Sequence, residues 1–148
     1  IELENVSDIY RLVPTEGKIL KPIKINESEK SKKLVRVVTK TSINKETTQT
    51  GFHDGRSTLA EVKASVGDTC VMQIPDQKIL DIIKLEAGCQ GLVVRGINAG
   101  QIGKVESVEK GTFILPKRVI LILGDKKIEI PADIIMPIGK EEPVIQLK

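Results

Sequence analysis

The residues best suited to chemistry surround a glycine-rich segment, residues 91–105, which reads GLVVRGINAGQIGKV. Gly96 and Gly100 can adopt backbone conformations that other residues avoid, and without side chains they let a partner's backbone come close. The segment therefore predicts either a phosphate-binding loop or a polar hairpin turn with a purely structural role. The side chains around it that carry donors suited to phosphate oxygens are Arg95, Asn98, Gln101 and Lys104.

A second group of candidates is basic and lies earlier in the chain. Residues 18–40 hold 8 Lys or Arg against 2 Glu, a local charge of +6, whereas the whole chain carries +3. Concentrated charge of this kind predicts attraction to a polyanion, with a solvated lysine-rich surface as the alternative. We expect Arg36 and Lys40 to share one face of a strand, by its period of two. The candidates for RNA contact are Lys32, Lys33, Arg36 and Lys40.

Residues 53–56, His-Asp-Gly-Arg, predict a tight turn because Asp-Gly accepts positive φ at low cost. His53 and Asp54 resemble an acid–base pair, but neighbours in a tight turn rarely converge on one substrate, and no nucleophile stands beside them. We expect His53 to donate to a carbonyl, and both His53 and Arg56 are candidates for RNA contact, with Arg56 the better one. Lys104 is not part of a phosphate-binding P-loop, because Val105 stands where Ser or Thr would hold magnesium. The sequence therefore predicts no catalytic residue and no cofactor.

Composition limits the remaining classes of function. Cys70 and Cys89 with a single His make no convincing zinc site, so we expect reduced thiols and no metal. The three aromatic residues disfavour a base-stacking platform. No apolar run reaches the length of a membrane span and no signal-peptide pattern opens the chain. We expect a cytoplasmic protein without a membrane partner or a small-molecule substrate.

The elements that position these residues are predicted to be mainly strands. Val and Ile make up about a quarter of the chain, and they favour pleated structure. One helix is predicted at residues 26–33, capped by Asn26. Five short strands after residue 87 predict a small closed barrel. The predicted strands cover residues 1–4, which form a hairpin with 10–13, and then 19–25, 34–43, 47–52, 69–74, 78–84, 91–94, 102–108, 112–115, 119–123 and 126–130.

The glycine-rich segment resembles the KOW motif of ribosomal proteins and of transcription elongation factors of the NusG and Spt-five type. The likeness extends along the chain to small-subunit ribosomal protein four of the archaeal and eukaryotic (e) type, in a form that looks archaeal. Residues 130–137 look like the closing turn and last strand of an SH3-like barrel. The motifs that carry the family resemblance, in order, are KLVRVVTK at 33–40, FHDGR at 52–56, VGD at 66–68, PDQKIL at 75–80, AGQIGK at 99–104 and LG at 123–124.

This resemblance implies a domain order and a function. Residues 1–14 look like the end of a truncated upstream RNA-binding domain, 15–86 like a central β domain and 87–148 like a KOW SH3-like barrel. The implied function is a structural constituent of the small ribosomal subunit, with ribosomal RNA and neighbouring ribosomal proteins as partners. The alternative is a protein-binding KOW module of a transcription elongation factor. Family members commonly have Arg where this chain has Gln101, and Gly where it has Arg95, so positive charge near the loop is displaced.

Overall fold

The computed structural model describes residues 1–44 and 47–147, and the regular secondary structure of this part of the chain consists of twelve strands and three short 3₁₀ turns. Single 3₁₀ turns occur at Glu16–Lys18, Glu27–Glu29 and Ala132–Ile134. The prediction of a mainly β fold is confirmed. The strands are β1 (Ile9–Pro14), β2 (Leu20–Ile25), β3 (Lys32–Ser42), β4 (Thr48–Phe52), β5 (Ser57–Thr58), β6 (Thr69–Gln73), β7 (Lys78–Ile83), β8 (Gln90–Val93), β9 (Ile102–Glu109), β10 (Arg118–Leu123), β11 (Lys126–Pro131) and β12 (Ile135–Gly139).

The strands form three antiparallel sheets. Strands β1 and β2 make a two-stranded ribbon, and β5-β4-β3-β6-β7 make the first five-stranded sheet. The second five-stranded sheet has the order β11-β10-β9-β8-β12, so its last strand returns to pair with its first. This return, preceded by the 3₁₀ turn Ala132–Ile134, makes β12 the last strand that was expected from residues 130–137. Among the described residues no pairing of β11 with β12 closes the sheet, so the closed barrel after residue 87 stays a prediction.

Each five-stranded sheet has its own core, and a third cluster joins the two. Val35, Val37 and Phe52 belong to the core of the first sheet. The core of the second sheet contains Val93, Val105, Val119, Leu121 and Ile135. The joining cluster takes Leu34, Val71 and Ile83 from the first sheet, and Leu92, Met136, Ile138 and Ile145 from the second sheet and the segment that follows it. Because the two sheets share buried apolar surface, the division into domains at residue 87 stays a prediction.

Two predicted elements are wrong. Residues 26–33 form only the short turn Glu27–Glu29, because Lys32 and Lys33 pair with Gln73 and Met72 of β6. A helix of two turns is marginal in water, and strand pairing displaces it. Residues 112–115 form a turn, in which the Thr112 N–H donates to the Leu115 carbonyl at 2.8 Å. The fifth strand of the sheet is β12 instead.

The first predicted hairpin is also wrong in its pairing. Strand β1 pairs along its length with β2, from Ile9 opposite Ile25 to Pro14 opposite Leu20. Residues 1–4 contribute only a single bridge between Glu2 and Ile9. The alternation of Ile1 to Glu4 is therefore too short to compete with the six-residue partner that follows the turn at Glu16–Lys18.

After β12 the chain folds back along it. The Val144 N–H donates to the Ile138 carbonyl at 2.8 Å, and Pro143 bridges to Gly139. Ile145 is buried in the cluster that joins the sheets. Arg11 of β1 donates to the Gln146 carbonyl at 2.9 Å and pairs with Glu29 at 2.6 Å. This return segment, residues 141–147, therefore connects β12 to the β1–β2 ribbon.

Candidate nucleic-acid interface

Strand β3 presents the predicted basic residues in two different directions. A bulge between Val37 and Thr39 interrupts its alternation. Arg36 reaches the second sheet, where its Nη1 donates to the carbonyls of Asp133 and Ile135, the latter at 3.1 Å. Lys40 reaches instead the segment that follows β5 in the first sheet. Its Nζ donates to the carbonyls of Val62 at 2.9 Å and Ala64 at 3.1 Å. The prediction that Arg36 and Lys40 share a face is therefore wrong, because the bulge reverses the parity of the strand.

The turn at residues 53–56 forms as predicted, and Asp54 organises its charges. Asp54 Oδ2 accepts from Lys33 Nζ at 2.8 Å and from Arg56 Nη1 at 3.2 Å. Burial opposes ionisation of Asp54, but hydrogen bonds from Lys33 and the Arg56 backbone, with both positive charges, bring its pKa below the ordinary value. Asp54 stays ionised and holds two cations in fixed positions.

His53 joins this group through its ring, but as an acceptor. The Arg36 backbone N–H donates to His53 Nδ1 at 3.0 Å, so this nitrogen accepts and carries no proton, whereas the sequence led us to expect that His53 donates to a carbonyl. Desolvation lowers the pKa of His53, as do the charges of Lys33 and Arg36, while Asp54 opposes them. The ring is therefore neutral at physiological pH. We call this group, Lys33, Arg36, His53, Asp54 and Arg56, the β3–β4 cluster.

Asp133 connects the β3–β4 cluster to the glycine-rich loop. Its carbonyl accepts from Arg36, and its carboxylate lies 3.8 Å from Arg95 Nη2 in an exposed ion pair. Burial lowers the pKa of Arg36, and the charge of Arg95 lowers it further, while the Asp133 carboxylate raises it. Residues of both candidate groups therefore meet at the junction of the two five-stranded sheets. Sequence reasoning missed Asp133, because no local pattern marks a residue 97 positions from its partner.

The glycine-rich loop is a compact turn. Gly96 and Gly100 both have positive φ, +93° and +84°. The Gly100 N–H donates to the Val93 carbonyl at 2.8 Å, and the Gln101 N–H donates to the Asn98 carbonyl at 3.2 Å. Ile97, at the tip, is 92% exposed. The left-handed conformations expected from the sequence are therefore present, and they turn the chain between β8 and β9.

The close approach at Gly100 is made by the chain itself. A Cβ at this position would lie 2.4 Å from the Pro14 carbonyl oxygen and 2.9 Å from the Thr15 Cα. Gln101 Nε2 lies 3.5 Å from Glu16 Oε1, on the same side of the loop. The loop is thus packed against the end of β1. Gly100 serves this internal contact, whereas the expectation was an approach by a partner's backbone.

The other predicted residues lie apart from the β3–β4 cluster. Lys32 is exposed at the start of β3, and Lys104 is exposed on β9, opposite Gln90 and Ile122. Asn98 is partly buried inside the loop. The structure therefore brings together Lys33, Arg36, His53, Arg56 and Arg95, and leaves Lys32, Lys40 and Lys104 at separate positions.

The described residues hold no group of three or more His, Cys, Asp or Glu side chains that could bind a metal ion. Cys70 and Cys89 are both free and buried. Burial raises the pKa of the Cys70 thiol to about 11 and also raises that of Cys89, so both are protonated and poor nucleophiles. None of the helical turns in residues 1–44 and 47–147 is long and apolar enough to cross a membrane.

A comparison with protein families matches residues 6–79 to the model described as ribosomal family S4e. The chain belongs to ribosomal family S4e. Its relatives include small ribosomal subunit protein eS4 of Staphylothermus marinus, 36% identical over 99% of this chain, and that of Desulfurococcus amylolyticus, 37% identical over the same share. The present chain spans 62% of the length of each of these two relatives. The resemblance stated from the sequence motifs is confirmed.

A solved structure supports the S4e assignment independently. The crystal structure of the 30S ribosomal protein S4e from Thermoplasma acidophilum matches 88% of this chain and 66% of its own, with a TM-score of 0.76 and 26% identity. The family model ends at residue 79, before the glycine-rich loop, whereas the two relatives match 99% of this chain. The assignment of that loop to the KOW motif stays a prediction.

Proposed function

We propose that this S4e chain is a structural constituent of the small ribosomal subunit, binds ribosomal RNA and has no enzymatic activity. One observation carries the proposal: the cations of the β3–β4 cluster and Arg95 form a connected group across two sheets. Asp54 and the carbonyls of Asp133 and Ile135 hold them in place. Cations fixed by a rigid β framework suit phosphates spaced along a folded RNA. The place of action is then the ribosome, in the cytoplasm.

Within this interface the residues take different roles. Lys33, Arg56 and Arg95 keep donors for phosphate, since each spends only part of its hydrogen-bonding capacity on a carboxylate. Arg36 positions the two sheets, and His53 supports the Arg36 backbone. Lys32, Lys104, Asn98 and Gln101 extend the surface on either side, and Gly96 and Gly100 shape the loop. Neighbouring ribosomal proteins are further partners in the proposal.

The test is filter binding of the chain to small-subunit and large-subunit ribosomal RNA from Staphylothermus marinus. We expect preferential binding to the small-subunit RNA. Arg56→Glu and Arg95→Glu should weaken that binding, because each places a negative charge beside phosphates. Lys78→Glu, on β7 outside the cluster, is the matched control and should change binding less. Equal affinity for both RNAs, or an equal loss of affinity in all three variants, would mean that the chain binds polyanions without specificity. Either result would contradict the proposal.

A further inference from the structure

The loop between β9 and β10, residues 110–117, exposes apolar side chains at its tip. Phe113 is 106% exposed, Ile114 87% and Leu115 53%. Among the three aromatic residues Phe113 is the exposed one, since Phe52 is 5% exposed in the first core and Tyr10 is half-buried. Exposing a complete aromatic ring to water is unfavourable. Isolated exposed apolar residues need no special cause, but three consecutive ones at a hairpin tip suggest a binding element.

The loop is held in one shape by its own backbone. The Thr112 N–H donates to the Leu115 carbonyl at 2.8 Å, and the Leu115 N–H donates to Thr112 Oγ1 at 3.1 Å. At its base, a Cβ on Gly111 would lie 2.7 Å from the Lys117 nitrogen, so the two arms of the loop are in close contact. The Lys117 carbonyl accepts from the Ala132 N–H at 2.9 Å, which fixes the loop to the second sheet. Phe113 thus lies at the tip of a hydrogen-bonded turn that projects from the second sheet.

The charged residues within this loop, Lys110 and Lys117, are both positive, whereas Glu109 precedes it at the end of β9. Residues 110–118 contain three basic residues and no acidic one. Arg118 is paired with Glu129 at 2.6 Å, but Lys110 and Lys117 form no ion pair with any residue that the structure describes. An aromatic ring flanked by free cations matches a nucleic acid, in which a base offers a π face and the adjoining phosphates offer negative charge. A protein partner would need a larger patch than three side chains.

We propose that loop 110–117 is an RNA-inserting finger, in which Phe113 stacks on an unpaired base of ribosomal RNA while Lys110 and Lys117 contact its phosphates. This rests on the proposed function for its partner, but it adds a contact that lies outside the β3–β4 cluster and the glycine-rich loop. One exposed ring does not form a stacking platform, so the finger reads a single base or base step, and the rest of the surface supplies charge.

The first test compares substitutions of Phe113 by affinity for small-subunit ribosomal RNA. Phe113→Ala should weaken binding about tenfold, the effect of losing one base–aromatic stack. Phe113→Tyr should bind like the unaltered chain, whereas Phe113→Leu should lose as much as Phe113→Ala because it keeps apolar surface without a π face. Leu59→Ala, which truncates another exposed apolar side chain, is the control and should leave affinity unchanged. Full affinity in Phe113→Leu would overturn stacking.

The second test uses fluorescence, because the chain contains no Trp. Phe113→Trp introduces one indole at the finger, and binding of a single-stranded RNA oligonucleotide should quench it, whereas a perfect duplex of equal length should not. Leu59→Trp should remain unquenched by either. This measurement separates the two proposals. If the indole is quenched but the chain shows no preference for small-subunit RNA, the stacking contact is supported and the proposed function is contradicted. A different result would overturn the proposed finger: the chain binds small-subunit RNA specifically, but the indole is not quenched. If the Phe113→Ala variant then binds that RNA normally and is missing only from assembled subunits, the tip contacts a protein.

Discussion

At the scale of single residues, Gly100 and His53 show how local geometry determines what a substitution does. Both residues were candidates for RNA contact, and the structure gives each an internal partner. Gly100 packs on Pro14 and Thr15, and His53 accepts a hydrogen bond from the Arg36 backbone. Their variants should therefore affect folding, and each effect can be separated from RNA binding by measuring stability.

We expect Gly100→Ala to destabilise the chain more than Gly88→Ala. Both glycines have positive φ, so each variant incurs about 1 kcal/mol of backbone strain. A Cβ at Gly88 meets no atom within 4 Å, whereas one at Gly100 overlaps the Pro14 carbonyl oxygen. Thermal melts of the two variants check this, and Gly100→Val should be worse still. Gln101→Ala should be close to neutral, since its contact with Glu16 is long and exposed. Equal melting temperatures for the two Gly→Ala variants would mean that β1 moves away at no cost.

We expect stability to fall in mildly acidic solution because of His53, the only histidine. Its pKa in the folded chain lies below the ordinary value of 6.5, so protons bind more tightly to the unfolded chain. The contribution of neutral His53 to the free energy of unfolding is fully present above pH 6.5, and it is lost as the pH falls from there through the lower pKa of the folded chain. Urea unfolding at about pH 7.5 and about pH 5.5 measures this. His53→Asn keeps an acceptor for the Arg36 N–H without titrating, and it should lose the dependence between those values. If the stability of the His53→Asn variant depends on pH as before, other titrating groups cause the dependence.

At the scale of elements, β3 distributes its basic residues between solvent and structure. Lys32 is exposed, whereas Lys40 donates to the carbonyls of Val62 and Ala64 and thereby fastens the segment after β5 to the strand. The alternating pattern of the sequence does not distinguish these roles, because the bulge after Val37 depends on the pairing with β4. Basic residues of β3 that look equivalent in the sequence therefore have two different roles in the structure.

We expect Lys32→Met and Lys40→Met to have opposite profiles. Lys32→Met should leave the melting temperature unchanged and lower the salt slope of log K for RNA by about 0.7 if Lys32 contacts one phosphate. Lys40→Met should instead cost about 1 kcal/mol of stability, because it removes hydrogen bonds from a charged donor. Met keeps most of the length of both side chains, so the comparison isolates the ammonium group. A lower salt slope in Lys40→Met at unchanged stability would show that Lys40 faces RNA.

At the scale of the whole molecule, the sequence predicted the elements better than the contacts between them. Strands β7, β10 and β11 were placed to within about a residue, since short runs rich in Ile, Leu and Val bounded by turn residues mark them directly. The contacts of Arg36 with Asp133 and of Gly100 with Pro14 were not predicted. They depend on how two sheets and a ribbon pack, and no residue spacing encodes that packing.

The S4e chain spans 62% of the length of its Staphylothermus marinus relative, and this allows a comparison of affinity. We expect the present chain to bind small-subunit ribosomal RNA in the range of about 10⁻⁴ to 10⁻⁶ M, typical of charge-driven contacts. The full-length relative should bind about 10²-fold more tightly if its additional part supplies a second, tethered contact. Filter binding of both proteins to one RNA measures the difference. Equal affinities would make the region shared with this chain the principal anchor.

The return segment, residues 141–147, also affects how the molecule avoids self-association. A β-sheet ends in strands whose outer backbone groups can recruit a strand from another molecule. Along β12 the return segment occupies this position, with Val144 bonded to the Ile138 carbonyl. The opposite edge, β11, carries the charged residues Lys126, Lys127 and Glu129, and in the first sheet β5 is only two residues long. Three of the four outer edges of the two five-stranded sheets are therefore covered, charged or too short to recruit a strand from another molecule.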